Sequence, residues 1–170
     1  MPLAIAIVGT SGSGKTLVAT GLVQRLVAKG FRIAAVKHAS HGHQVDRPGK
    51  DSDRLFQAGA TRVILSSPWQ RTSIERREDD SPLEDVLASL DSAYDLVLAE
   101  GFKGSSVPKI LVLGAEPISP LPQNLIAVVS DGQTVEGVPW YNIRDLDGLA
   151  HQIEAQILGQ SAGELLRPFP

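Results

Sequence analysis

Gly9-Thr10-Ser11-Gly12-Ser13-Gly14-Lys15-Thr16 has the residue types and spacing to hold a nucleoside triphosphate. It matches G-x-x-x-x-G-K-[ST], in which glycines let the backbone approach phosphate oxygens closely. Successive N–H groups then form an anion nest at the positive end of the helix that follows. In that role Lys15 reaches the β- and γ-phosphates and the Thr16 hydroxyl ligates Mg²⁺. The plainer reading is a glycine-rich turn with a chance lysine. Position argues against it, because the motif follows an apolar run and opens a helical pattern.

A metal site needs a carboxylate from a neighbouring strand. Asp95-Leu96-Val97-Leu98-Ala99-Glu100-Gly101 supplies Glu100 at the carboxyl end of an apolar run, where open α/β sheets bind ligands. Glu100 is the expected Mg²⁺ partner, directly or through water. The alternative is a solvated carboxylate at a strand end. Asp95, at the other end of the run, is expected to be structural.

The segment from Lys37 to Arg54 carries Lys37, His38, His41, His43, Asp46, Arg47, Lys50, Asp51, Ser52 and Arg54. It leaves a second strand parallel to the first, so it starts at the edge that carries the phosphate loop. Asp46 is the candidate for a further Mg²⁺ contact, since Asp51 stands where it can cap the next helix. Lys50 and Arg54 suit phosphate or a second anionic ligand. The three histidines invite a transition-metal reading, but the chain has no cysteine and no second ligand cluster to complete a tetrahedral set. Polar loop histidines are the simpler reading.

The elements that must position these groups follow from periodicity. Residues 3–8 form an apolar run of the kind buried on both faces of a sheet. Leu17, Val18, Leu22, Val23, Leu26 and Val27 then recur at helical spacing from Gly14 to Lys29, with Gly30 as the C-terminal stop. Arg32–Lys37 completes a βαβ unit. A short helix is expected over 52–58. A hairpin over 62–67 and 71–76 is expected to add antiparallel strands at one sheet edge. Ser81-Pro82-Leu83-Glu84 reads as a capping box with proline at the first helical position. Further strands are expected at 95–99, 109–113, 125–129 and 140–143, and a last helix at 145–158 stopped by Gly159. The fold class is therefore α/β: a three-layer P-loop NTPase fold with a mostly parallel sheet and an added antiparallel β-hairpin. Residues 1–159 read as one nucleotide-binding domain and 160–170 as a C-terminal tail.

Composition narrows the function. A net charge of −3 gives no bulk reason to bind nucleic acid or an anionic membrane. The apolar opening lacks a preceding basic residue, and no run nears the ~18 residues of a membrane span. A cytoplasmic location is expected.

GTSGSGKT, VKHASHGHQVDRPGKDSDR, AGATRVIL and DLVLAEGFK with PKI together resemble the MobB family of molybdopterin-guanine dinucleotide biosynthesis adapter proteins, over about residues 3–150. The phosphate loop is widely shared; the KH…H…D..GKDS..R…AGA block with EGFK…KI is far more specific. The resemblance implies a P-loop GTPase-class protein that binds GTP, hydrolyses it weakly and forms a homodimer through an extended sheet. It implies assistance to the guanylyltransferase that joins GMP to molybdopterin, and so a role in molybdenum cofactor biosynthesis, with molybdopterin itself a further possible ligand. The family's phosphate-site residues fall on Gly9, Gly12, Gly14, Lys15 and Thr16, its EG motif on Glu100 and Gly101, and its GKDS motif on Gly49, Lys50, Asp51 and Ser52.

Two departures matter. No N-K-x-D guanine signature is present, and Asp131 after the run LIAVV is the candidate to accept from guanine N1–H and its amino group. Positions 10 and 11 are Thr and Ser, so the early lysine of dimeric partition-type ATPases is missing. Two other functions fit the same motif. One is a small-molecule kinase with Arg71, Arg76 and Arg77 as a lid. The other is a metal-delivery GTPase using His38, His41 and His43.

Overall fold

The structure, a computed structural model, describes residues 2–39, 42, 47–90 and 93–161. Asp46, His41, His43 and most of the expected tail lie outside the described residues. The chain divides into two compact units: residues up to 38 with those from 82 onward, and residues 39–81.

The first unit is a six-stranded, wholly parallel sheet in the order β2-β5-β1-β6-β7-β8. The strands are β1 (Leu3–Val8), β2 (Ile33–Lys37), β5 (Leu96–Glu100), β6 (Lys109–Val112), β7 (Leu125–Ser130) and β8 (Trp140–Asn142). Every residue of β1 is buried, because strands flank it on both sides and packed layers cover both faces. Its odd residues Leu3, Ile5 and Ile7 pack against α1 (Lys15–Ala28) and α4 (Asp147–Ser161). Its even residues face the other way. Ala4 joins Leu83 and Leu87 of α3 (Leu83–Ala88), while Ala6 and Val8 meet Leu111, Val128 and loop residues such as Val107 and Ile118. One face is thus covered by two helices and the other by one short helix and connecting loops.

Helix α1 turns Val18, Leu22 and Leu26 inward, all fully buried, at a four-residue spacing that keeps them on one stripe. Each such side chain is worth about 1.5–3 kcal/mol of burial. Gly30, at φ +92°, ends the helix, its N–H donating to the Val27 carbonyl. Arg25 pairs with Asp147, and Lys29 with Glu154, tying α1 to α4.

The β5–β6 connection returns along the sheet in the eight residues 101–108 with no helix among them. Lys109 clips it. This lysine is 1% exposed, and its Nζ donates to the carbonyls of Ser105 (2.6 Å) and Val107 (3.0 Å). Burial pushes its pKa down, against the pull of Glu84. Asp95 accepts from the Arg32 N–H at 2.7 Å at the edge away from the phosphate loop, a structural role as expected.

In the second unit, α2 (Asp51–Gln57) precedes the antiparallel pair β3 (Arg62–Ser66) and β4 (Arg71–Glu75). The hairpin is a two-stranded sheet of its own and does not extend an edge of the parallel sheet as expected. Among the described residues its strands pair only with each other. Arg76 lies over the Phe56 ring at 4.2 Å and donates to the Phe56 carbonyl.

Three local expectations are corrected. Pro82, extended at ψ 153°, is the N-cap of α3, so Ser81 falls outside the helix and no capping box forms. The Glu84 carboxylate accepts instead from Ser106 Oγ. Lys50 rather than Asp51 occupies the N-cap position of α2, and it is Asp53 that accepts the Gly49 N–H. Helix α4 runs through Gly159 to Ser161, since one glycine costs a helix only about 1 kcal/mol.

Candidate functional site

The loop between β1 and α1 is built around its glycines. A methyl on Gly9 would lie 2.3 Å from the Val112 carbonyl oxygen and 2.6 Å from Ser13 Oγ. A Cβ on Gly114 would lie 2.9 Å from Ser13 Cα. Ser13, 6% exposed, is therefore wedged between the ends of β1 and β6. Gly14, at φ +96°, opens α1 in the left-handed region, and a Cβ there would approach Ile143 at 3.0 Å. Loops after β1, β6 and β8 thus converge at the carboxyl edge of the sheet, the edge at which open α/β folds bind ligands.

Within this loop Lys15 Nζ donates to the carbonyls of Gly9 (3.1 Å) and Thr10 (2.6 Å), which holds its ammonium inside the curve of the backbone. Thr16, on the first turn of α1, donates through Oγ1 to Glu100 Oε2 at 2.9 Å. Strand β5 lies directly beside β1, in a register that pairs Ile7 with Glu100. The threonine of the glycine loop and the strand-end carboxylate are thereby brought together as expected.

Glu100 has a second partner that sequence reasoning missed. Lys37, in register with it across β2 and β5, donates from Nζ to Oε1 at 2.9 Å. Burial pushes the Glu100 carboxyl pKa up. The hydrogen bonds from Lys37 and Thr16, with the charges of Lys37 and Lys15, outweigh that effect and hold it below the usual carboxylate value. An ionised carboxylate beside a hydroxyl is an oxygen pair suited to a hard divalent cation such as Mg²⁺. The residues present fit that ion, with Thr16 and Glu100 to hold it.

The turn after Glu100 is constrained. Gly101 and Phe102 have φ of +98° and +53°, and a Cβ on Gly101 would approach His38 Cβ at 2.9 Å. His38 donates its backbone N–H to the Glu100 carbonyl, and its ring lies 4.9 Å from that of Phe102. Among the described residues no three His, Cys, Asp or Glu side chains gather as a metal-ligand set.

Asp131 directly follows β7 at the same carboxyl edge and pairs with Arg144 at 3.0 Å. Its loop is anchored by Ser130, whose Oγ accepts from Trp140 Nε1 at 2.7 Å, and by Gln133, whose Nε2 donates to the Gly114 carbonyl at 3.2 Å. Lys50 and Arg54 lie in the second unit, one helical turn apart at the start of α2, with the Arg54 N–H donating to the Lys50 carbonyl. Of the arginines considered as a kinase lid, Arg76 is engaged with Phe56 and Arg77 lies 3.7 Å from Glu75.

Comparison with known proteins bears on this arrangement. A sequence model of the family described as MobB, molybdopterin guanine dinucleotide synthesis protein B, matches residues 4–131. The chain is 38% identical over 120 residues to the molybdopterin-guanine dinucleotide biosynthesis adapter protein of Haemophilus influenzae, covering 70% of this chain and 67% of that protein. It is 35% identical over 154 residues to the protein of the same description from Escherichia coli K12, covering 86% and 88%. Among solved structures, a crystal structure of molybdopterin-guanine biosynthesis protein B superposes with a TM-score of 0.74 at 31% identity, covering 92% of this chain and 99% of that one.

Proposed function

This chain belongs to the MobB family, and from that membership we propose that it is an adapter of molybdopterin-guanine dinucleotide biosynthesis that binds GTP with Mg²⁺ and hydrolyses it slowly. The observation that carries the reading is the Thr16–Glu100 hydrogen bond, which joins the phosphate loop to an ionised carboxylate on the neighbouring strand. The loop N–H groups and Lys15 would bind the triphosphate. Thr16 and Glu100, with Asp46, would hold Mg²⁺, whose charge offsets that building on the phosphate oxygens when bound. No group among these is placed to orient an attacking water, which is the basis for expecting slow turnover.

Asp131 is assigned to guanine and Lys50 with Arg54 to a second anionic ligand. The partner that fits the family description is the molybdopterin guanylyltransferase, and the working compartment is the cytoplasm. No described helix is long and apolar enough to cross a membrane.

Incubating the purified protein with labelled GTP or ATP and Mg²⁺ tests the reading. GTP is expected to be retained in preference and to release phosphate slowly without an added acceptor. Phosphate transfer that depends on a small-molecule acceptor would support a kinase instead. Asp131→Asn is expected to lower the GTP-over-ATP preference at least ~10-fold, because an amide cannot accept from both guanine donors. The same variant should gain affinity for xanthosine triphosphate, whose 2-oxo group accepts from the new amide. An unchanged preference would remove Asp131 from the base site.

A homodimer is also proposed. The hairpin exposes Ile64, Leu65 and Trp69, the last at 97%, on a two-stranded sheet whose edges can pair with another chain. Light scattering at micromolar protein is expected to give twice the chain mass, and a monomer mass would sink the idea.

A further inference from the structure

Lys37 and Thr16 divide the two oxygens of one carboxylate. Thr16 Oγ1 donates to Oε2 and Lys37 Nζ to Oε1, both at 2.9 Å. The acceptor is fixed and the ammonium is not. The Glu100 side chain is 13% exposed, at the end of a strand paired on both sides, whereas the Lys37 side chain is 63% exposed and reaches in from solvent. The strand ends that carry them are held together by the His38 N–H on the Glu100 carbonyl and by the packing of His38 on Phe102. The pairing is therefore set by β2–β5 register and does not arise from a chance meeting of two surface chains.

We propose that Lys37 is the resident counter-cation of the triphosphate site, holding Glu100 until a divalent cation displaces it, and so sets how strongly nucleotide binding depends on that cation. The proposal rests on the triphosphate reading given above. A divalent ion that takes Glu100 competes with Lys37 for the carboxylate's charge and binds against an ammonium 2.9 Å from Oε1. A triphosphate arriving without metal meets a carboxylate whose charge Lys37 already offsets. Both effects narrow the gap between metal-bound and metal-free affinity. Removing the ammonium widens that gap.

The test is a titration of the full-length protein with a fluorescent GTP analogue, once in Mg²⁺ and once in EDTA, read as the ratio of the two dissociation constants. Lys37→Met is expected to raise the ratio roughly fivefold, the scale of one partly exposed ion pair. Lys37→Arg, which keeps the charge, is expected to restore it. With Glu100→Gln already in place, adding Lys37→Met should leave the ratio where Glu100→Gln alone puts it. Melting temperatures should stay close to wild type, given the exposure of Lys37. A Lys37→Met variant that weakens binding equally in both buffers would make Lys37 a direct phosphate ligand and overturn the proposal. An unmoved pair of constants, or an arginine variant that behaves like the methionine one, would overturn it too. A wild-type protein that binds no triphosphate in either buffer would defeat the site reading as well. Wild-type binding with an unmoved ratio defeats only the role of Lys37.

Discussion

Lys15→Ala is expected to weaken GTP binding by about a hundredfold while leaving the fold in place. The lysine stands at the first position of α1, with its ammonium held on the Gly9 and Thr10 carbonyls inside the curve of the loop. On the proposed reading, a triphosphate cradled there would receive that charge on its outer phosphates. Hydrogen bonds from a charged donor are worth about 1.5–3 kcal/mol each, and each 1.4 kcal/mol is a factor of ten. Two such bonds, less the cost of releasing the two carbonyls, leave about 3 kcal/mol. Lys15→Arg should recover little of this, because a planar guanidinium does not fit a pocket shaped around a compact ammonium. Calorimetric titration with GTP and Mg²⁺ measures the loss. An alanine variant that binds within about threefold of wild type would take Lys15 out of the phosphate site.

Gly9→Ala is expected to damage the fold itself. Its new methyl would stand 2.3 Å from the Val112 carbonyl oxygen, a backbone atom that cannot swing aside. Strand β6 is paired to β1 on one side and β7 on the other, so relief means shifting a central strand. Overpacking of this kind costs about 3 kcal/mol, which lowers the melting temperature of a chain this size by roughly 10 °C. Gly30→Ala is the comparison. Gly30 is also at positive φ, but a Cβ there meets nothing within 4 Å, so only the left-handed backbone penalty of about 1–2 kcal/mol applies. Thermal melts of the two variants separate close approach from backbone conformation. A Gly9→Ala protein as stable as Gly30→Ala would contradict the tight junction between the phosphate loop and β6.

What was legible in the sequence is what local pattern determines. Apolar runs marked the buried strands because strands covered on both faces admit few polar residues. The glycine loop and Glu100 were legible because each sits next to such a run. Strand order was only partly legible: β5 was expected beside β1, but its place between β1 and β2 depends on contacts distant in sequence. That placement makes Lys37, the last residue of β2, the partner of Glu100, a role the sequence alone did not assign to it. Lys109 was hidden for another reason. It heads the run KILVL, a position at which a lysine is ordinarily solvated, yet its stem is buried and its ammonium is spent on two loop carbonyls. The capping pattern at Ser81 misled because proline can serve as the cap as well as the first helical residue, and the motif does not say which.

The division of the chain into two units also bears on the order of assembly. Residues 39–81 lie between β2 and α3, inside the chain segment that must be looped out before β2 can pair with β5. Closing that loop costs about 0.6 kcal/mol less for each halving of its free length. Helix α2 and the hairpin are made of contacts close in sequence, the kind that form early. Once folded, the hairpin pairs Arg62 with Glu75 and so shortens the free length of the tether between two neighbouring strands. The hairpin's stability therefore enters the rate at which the β2–β5 seam, with Lys37 and Glu100 on either side of it, closes.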